Sequence, residues 1–463
     1  MADIENKVWL TQLRHLKRLL AANDPTAFHA AFLELHTWEQ AQFFLGLNRS
    51  ERMALYKVLS ASEVGDFFDD IDDDEAQLTV FLAEMRPEFA AQMLTEMYID
   101  NAVDILEHLD KATVNRLLAQ MPHQTAVDMR SLLHYDDETA GSIMTTEFVA
   151  IVAEQTVASA MQTLREKAED AEMIYYIYVL DEVQHLVGII SLRDLIVNDQ
   201  TKKVRTIMNE RVISVQVTDD QESVAQTIRD YNFFAIPVTD DENHLLGIIT
   251  VDDIIDVIDD EAASDYSGLA GVDVENTSEN PLKAAVKRLP WLITLLFLGM
   301  STASLINHYE NLVSEASVLA VFISLITGTA GNAGTQSLAV AVRRLAFPDQ
   351  ERSFVQSLLA ELITGLITGV VTGVTITLVV GVWKHNFTLG FVIGLAMCCA
   401  IVVANLAGSF IPGLMARLGF DPAVASGPFI STLSDLTSVL IYFSIAQYFI
   451  CLLYTSPSPR DTR

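Results

Sequence analysis

Three hydrophobic rhythms follow one another along the chain. In the first, apolar residues recur at three- and four-residue spacing: Leu10, Leu13, Leu16 and Leu20, then Phe28, Phe32 and Leu35. That period predicts short amphipathic helices over residues 1–135, broken at Asp24-Pro25 and at Met121-Pro122-His123. The doublets Phe81-Leu82, Met93-Leu94, Ile105-Leu106 and Leu117-Leu118 then return about every twelve residues, as in a small, weakly repetitive stack of helix pairs.

The second rhythm alternates strand with helix and occurs twice between residues 144 and 258. One copy opens at Met144-Thr145, passes through Ile174-Tyr175-Tyr176-Ile177-Tyr178-Val179 and ends at Gly188-Ile189-Ile190-Ser191-Leu192-Arg193-Asp194. The other opens at Met208-Asn209, passes through Ala235-Ile236-Pro237-Val238 and ends at Gly247-Ile248-Ile249-Thr250-Val251-Asp252-Asp253. Each ending reads as a Gly-led apolar strand, then a Ser or Thr capping a helix that starts with acid. This duplicated α/β pattern resembles a tandem pair of CBS domains, expected at residues 136–200 and 201–260.

From Leu289 onward the pattern is long and apolar, with runs near 290–306, 317–342, 355–382, 389–415 and 424–450. Each is long enough to cross a hydrocarbon core of ~30 Å. The expected fold is therefore multidomain: an all-α N-domain, an α/β pair, a connecting, plug-like helix over 261–286, and an α-helical transmembrane bundle of five spans over 287–450. Lys287-Arg288, Arg343-Arg344, Arg352 and Arg417 fall on one side of the spans. His308-Tyr309-Glu310, Glu315 and Trp383-Lys384-His385 fall on the other. The arginine-rich side is cytoplasmic. The N-terminal domains are then inside and the C-terminus outside a multi-pass plasma-membrane protein. Cys451-Leu452-Leu453-Tyr454-Thr455-Ser456-Pro457-Ser458-Pro459-Arg460-Asp461 reads as a translated sequencing-library adapter, so residues 451–463 are set apart from the fold.

Charge changes the picture. The formal charge is −32, yet acids and bases balance over residues 286–450, so the excess lies in the soluble half. Such a surface repels nucleic acid and anionic lipid, and its natural partners are cations. Three cysteines, two of them the adjacent Cys398 and Cys399, give no disulfide framework. The acidic start of the chain is not a secretory signal.

Asp435, in Gly427-Pro428-Phe429-Ile430-Ser431-Thr432-Leu433-Ser434-Asp435-Leu436-Thr437, lies at membrane depth. A carboxylate there costs several kcal/mol unless it meets water, a cation or a partner. Ser431 and Thr432 add hydroxyls nearby. The run Gly328-Thr329-Ala330-Gly331-Asn332-Ala333-Gly334-Thr335-Gln336-Ser337 combines small residues for close helix approach with polar groups that need partners away from lipid. Asn332, Thr335 and Gln336 are therefore expected to line a pore. Glu361, near the start of its span, is expected to be structural. Oxygen donors without a Cys/His cluster suit a hard, hydrated divalent cation. Two chains about a two-fold axis would supply a pair of carboxylates to one pore. In the soluble half, Asp100 and Asp104 share one helix face, as do Asp253 and Asp256; facing acids repel until a divalent cation bridges them.

Over its length to Ile450 the chain resembles the MgtE family of magnesium transporters and channels, on its domain order and on the GNAGTQS and GPFISTLSDLTS segments. The resemblance implies a homodimer with a central Mg2+ pore, closed when cytosolic Mg2+ fills sites among the soluble domains. It implies Asp435 as the pore carboxylate. It points to Glu63, Asp100, Asp104, Asp220, Glu222, Asp253, Asp256, Glu261 and Asp265 as sensor ligands. Asn232 and Ser264 stand where acids can occur, Thr335 where a second Asn can occur, and Gly427 lacks the amide some members carry before the proline. The CBS pair adds a nucleotide expectation: Asp194 for ribose hydroxyls with Arg193 beside it, and Tyr176 and Phe233 against the adenine of ATP or a related nucleotide.

The competing classes are a CBS-regulated secondary transporter of another ion, a divalent-cation transporter that also carries Co2+, Mn2+ or Ni2+, and a membrane-anchored sensor without transport. The spans hold no basic residue for an anion, and an anchor needs neither Asp435 nor a polar second span. No constellation for an enzyme is present, and no Gly-rich loop with Lys for an ATP-driven pump.

Overall fold

The computed structural model describes the chain except residues 1, 23, 72–74, 170, 273–280, 311, 313–316, 347–352, 419–425 and 456–463. The described chain falls into two units, Met1–Ile258 and Asp259–Arg463.

The first unit opens with ten helices, from α1 (Ala2–Ala21) to α10 (His123–Leu132). Asp24 caps α2 (Pro25–Leu33), and Pro122 stands at the N-cap of α10, so both sequence breaks are helix starts. The four apolar doublets fall one to a helix, in α6 (Glu75–Glu84), α7 (Pro87–Glu96), α8 (Ile99–Glu107) and α9 (Lys111–Leu118), and all eight side chains are buried. One short helix plus its turn accounts for the twelve-residue return. Phe28, Phe32, Phe43, Phe44, Phe67 and Phe68 cluster at the centre of this domain, mostly edge-on or tilted to one another. Arg52 closes one end of it, pairing with Glu84 through two hydrogen bonds of 2.8 and 2.9 Å and lying over the Phe81 ring.

Each CBS copy is a three-stranded sheet: β1 (Phe148–Val152), β2 (Met173–Leu180), β3 (Leu186–Ser191) and β4 (Val215–Gln216), β5 (Ala235–Thr239), β6 (Leu245–Thr250). In both, the first pair of strands is parallel and the second antiparallel. The copies are exchanged at their openings. Thr145 bridges to Ile248 and Asn209 to Ile189, each in the other copy's last strand. That explains the two glycines: a Cβ on Gly247 would lie 2.9 Å from Met144 Sδ, and one on Gly188 2.6 Å from Met208 Sδ. Helix α11 (Val157–Lys167) follows β1, and Ser191 caps α12 (Leu192–Val197), as expected. The N-domain core runs on into the second copy through Val224, Ile236, Ile249 and Ile254, whereas the first copy keeps its own core around Val149, Ile177 and Ile190.

The connecting segment is not a separate helix over 261–286. Helix α14 runs from Val251 to Ala270 through the expected boundary at 260, because no proline or glycine interrupts it before Gly268. It ends at Gly271, whose φ of +65° is the left-handed conformation of a helix stop. The next helix starts at Pro281 and continues to His308 as the first span, carrying Pro290 inside it.

Among the described residues five helices are long and apolar enough to cross a membrane: Pro281–His308, Val318–Leu345, Phe354–Trp383, Phe387–Arg417 and Gly427–Phe449. The last continues in helical form to Thr455, beyond the expected limit at Ile450; the rest of the adapter-like tail lies outside the described residues. Gly369 and Gly373 of the third span let the fourth approach closely: a Cβ there would stand 2.9 Å from Cys398 O and 2.6 Å from Gly394 O.

Candidate cation sites

In the first unit three carboxylates from three domains converge. Asp100 stands in the first turn of α8 in the N-domain, Glu172 directly before β2 in the first CBS copy, and Asp253 in the first turn of α14 in the second. One oxygen from each lies within 4.8 Å of the other two. Asp253 Oδ2 accepts from the Thr250 hydroxyl at 2.5 Å and from the Thr250 amide at 3.2 Å. Asp100, 9% exposed, accepts from the Asn101 amide at 2.9 Å. Glu172 Oε2 is buried with no hydrogen-bond partner.

Burial and the neighbouring negative charges hold protons on this group. Glu172 is pushed up to about 8, first by desolvation and then by Asp253. Asp100 and Asp253 rise above the usual carboxylate range for the same first reason. A divalent cation would replace those protons, and a donor set of carboxylates with threonine hydroxyls beside it is hard oxygen chemistry.

The other expected sensor residues lie elsewhere. Asp104 and Asp256 are exposed, one turn along their helices from Asp100 and Asp253. Glu63 is engaged in its own helix start: its Oε2 accepts from Ser60, while Oε1 meets His29 Nε2 at 2.7 Å. Asp220 caps α13 (Gln221–Tyr231) by accepting from the amides of Glu222 and Ser223. Glu261 and Asp265 are half-buried on α14. Among the described residues no second group of three acids or histidines comes as close together. Glu172 was absent from the expected set. Following Glu169 and Asp170 in sequence, it reads as the end of an ordinary acidic run, and nothing local sets it apart.

In the second unit the two expected pore segments face each other. A Cβ on Gly331 would lie 2.9 Å from Ser431 Oγ and 3.8 Å from Asp435 Oδ1, and one on Gly334 2.9 Å from Ser434 Oγ. Asp435 is half-buried. Thr335 donates to the carbonyls of Gly331 and Asn332, and Thr432 to that of Pro428, so their oxygens remain free to accept. Asn332 and Gln336, one turn apart on the second span, are exposed in the single chain. Glu361 is buried: it accepts from Ser337 at 3.1 Å and pairs with Arg344 at 3.8 Å. At the end of α14, a Cβ on Gly427 would stand 3.0 Å from Leu269 O, and one on Gly271 2.5 Å from Trp291 Nε1.

At the expected nucleotide residues, Asp194 accepts from Ser191 Oγ at 2.5 Å, and Arg193 is exposed. Phe233 stacks on Tyr231 at 5.3 Å, whereas Tyr176 faces Phe234 at 6.4 Å; the two expected aromatics are not paired with each other.

Residues 323–445 match a family described as divalent cation transporter, residues 35–138 the MgtE intracellular N domain, and residues 140–199 and 204–260 the CBS domain. The magnesium transporter MgtE of Enterococcus faecalis is 68% identical over 91% of this chain and 94% of its own. The chain belongs to the MgtE family. The Bacillus subtilis MgtE is 37% identical over the same shares. The soluble part of a magnesium transporter, solved as a crystal structure, aligns over 55% of this chain and all of its own, at 56% identity and a TM-score of 0.54. The cytosolic domain of the Mg2+ channel MgtE in complex with ATP aligns over 53% of this chain and 99% of its own, at 33% identity and a TM-score of 0.51. An MgtE chain is a transporter and not an enzyme. Its five apolar helices and cytosolic N-terminal half make it a multi-pass membrane protein.

Proposed function

We propose that this MgtE chain carries Mg2+ into the cell through a channel that cytosolic Mg2+ closes. The observation that carries the gating half is the meeting of Asp100, Glu172 and Asp253, one from each soluble domain. Without a cation nothing bridges the three acids, and the N-domain is free to loosen from the CBS pair. With Mg2+ between them the domains are drawn together, and α14, rooted at Asp253, transmits the change. Asp104, Asp256, Asp220, Glu222, Glu261, Asp265 and Glu63 serve as further, weaker ligands. Coupling requires only that Mg2+ bind the closed form more tightly, and several weak sites sum.

For permeation, Asp435 is the ion ligand, with Ser431, Thr432 and Thr335 as oxygen donors beside it. One carboxylate per chain is a thin site, so two chains share it about a two-fold axis, with Asn332 and Gln336 also facing the pore. Asp194, Arg193, Tyr176 and Phe233 hold the ribose and adenine of ATP, in keeping with the ATP-bound relative. With five spans the C-terminus is outside, and a tag placed after Ile450 is labelled on intact cells.

The test is ion flux from purified protein in liposomes with Mg2+ varied on each side. Flux down the Mg2+ gradient that stops as Mg2+ rises on the N-domain side is expected. Flux that needs a counter-ion gradient makes the chain a secondary transporter instead. The family description, divalent cation transporter, favours a broader second reading; Co2+, Mn2+ or Ni2+ flux equal to that of Mg2+ would establish it.

A further inference from the structure

The two hairpins of the CBS pair end in the same turn. Asp181–His185 joins β2 to β3 and Asp240–His244 joins β5 to β6, each with acid and imidazole four residues apart. In both, the residue before the histidine is left-handed: Gln184 at φ 71° and Asn243 at φ 66°. Asp181 Oδ1 accepts from the amides of Val183 and His185, and Asp240 Oδ1 from those of Glu242 and His244. The second oxygen of each acid faces its histidine, with Nδ1 at 3.1 Å in the first turn and 2.9 Å in the second. A carboxylate on Nδ1 keeps the imidazole proton there and leaves the Nε2 lone pair for a metal.

The two turns are in contact. The imidazole centroids are 4.8 Å apart with planes 27° from parallel. Leu186 N donates to Asn243 O at 3.0 Å, and Asn243 Nδ2 donates to Leu186 O at 2.9 Å. Neither Nε2 has a hydrogen-bond partner among the described residues, and both side chains are about one-third exposed. Two imidazoles on one ion, at metal–nitrogen bonds of about 2.1 Å and an angle near 90–110°, have centroids roughly 4.5–5.2 Å apart. The observed spacing falls inside that range.

We infer that His185 and His244 form a site for a first-row transition cation such as Ni2+, Co2+ or Zn2+, separate from the carboxylate sites that suit Mg2+. Imidazole selects such ions, whereas Mg2+ takes oxygen and keeps its water. Asp181 and Asp240 orient the rings, and Glu242, 4.0 Å from His244 Nδ1, adds negative charge. Because each hairpin supplies one ligand, a bound ion staples the two CBS copies together. The site forms whether or not Mg2+ gates the chain.

The test is Ni2+ titration calorimetry on tag-free, full-length protein in detergent, with Mg2+ saturating throughout. One Ni2+ per chain that Mg2+ does not displace is expected, lost when His185→Gln and His244→Gln are combined. Asp181→Asn or Asp240→Asn should weaken it about 10–100-fold. Wild-type protein that binds no Ni2+ under Mg2+, or a double variant that binds it as tightly, overturns the site. As a check that needs no variant, Ni2+ should shield His185 and His244 from diethyl pyrocarbonate, read by peptide mass spectrometry. Unchanged modification of both also overturns it.

Discussion

Glu172 and Asp100 belong to different domains, yet their carboxylate oxygens lie within 4.8 Å of each other and of Asp253. Glu172 is the member with an orphaned oxygen, so it has the most to gain from a cation. Glu172→Gln keeps the size and one acceptor but removes the charge. The Mg2+ concentration that protects the interdomain segments from protease should rise about 10-fold or more, a cost of at least ~1.4 kcal/mol. Asp100→Asn should do the same, and the double variant should fall short of the sum because both act on one ion. Protection at the original Mg2+ concentration in Glu172→Gln would remove it from the sensor.

Local patterns carried most of the fold. The apolar doublets marked α6 to α9, and the repeated Gly-led endings marked β3 and β6. The five long apolar runs match the five long helices to within a turn or so, except that the first helix begins at Pro281, well before its run. What escaped depends on contacts between distant segments. Glu172 meets Asp100 across 72 residues of chain, and no spacing rule reaches that far. Glu63 was legible in another sense: Ser60-Ala61-Ser62-Glu63 is a capping box, which already accounts for its carboxylate. The Asp181/His185 and Asp240/His244 pairs also stood in the sequence, but only folding shows that the two turns touch.

Asp435 tests permeation. It lies beside Gly331 in the groove between the second and fifth spans. Asp435→Ala should abolish Mg2+ uptake, measured with a Mg2+-sensitive dye in liposomes, while elution on size exclusion is unchanged from wild type. Normal uptake by such a well-folded variant would take this carboxylate out of the pore.

Asp69 gives the N-domain a pH dependence of its own. It is held near 7, first by burial, although Asn101 and the Tyr98 amide both donate to its Oδ1. Between pH of about 4 and about 7 the folded form keeps a proton that the unfolded form has lost. Stability therefore falls as pH rises through that window and stays lower above it. Asp69→Asn preserves the Oδ1 acceptor and removes the titration. In chelator, urea-dependent proteolysis of the N-domain should show wild type weaker at pH 8 than at pH 5, and the variant should lose less over the same interval. A wild-type stability that rises across that window would contradict the assignment.

Gly271 tests how the gate is seated. α14 ends there in a left-handed turn, and the indole of Trp291 in the first span occupies the space a side chain would need. Leu269 O meanwhile approaches Gly427 at the head of the fifth span, with 3.0 Å left for a Cβ. This seat thus rests on two glycines that admit backbone against neighbouring helices. Gly271→Ala loses about 1–2 kcal/mol from the left-handed backbone alone, and the clash with Trp291 adds to it. If this seat exists only when the pore is closed, the loss falls on the closed state and shifts the equilibrium toward open by about 5–30-fold. Channel current should then persist at internal Mg2+ concentrations that silence wild type, while Mg2+ protection of the soluble half stays in place. Trp291→Phe, which keeps a ring but withdraws the indole nitrogen from Gly271, should restore part of the closure in the Gly271→Ala background. Closure at the wild-type Mg2+ concentration by Gly271→Ala would mean that this turn does not bear on the gate.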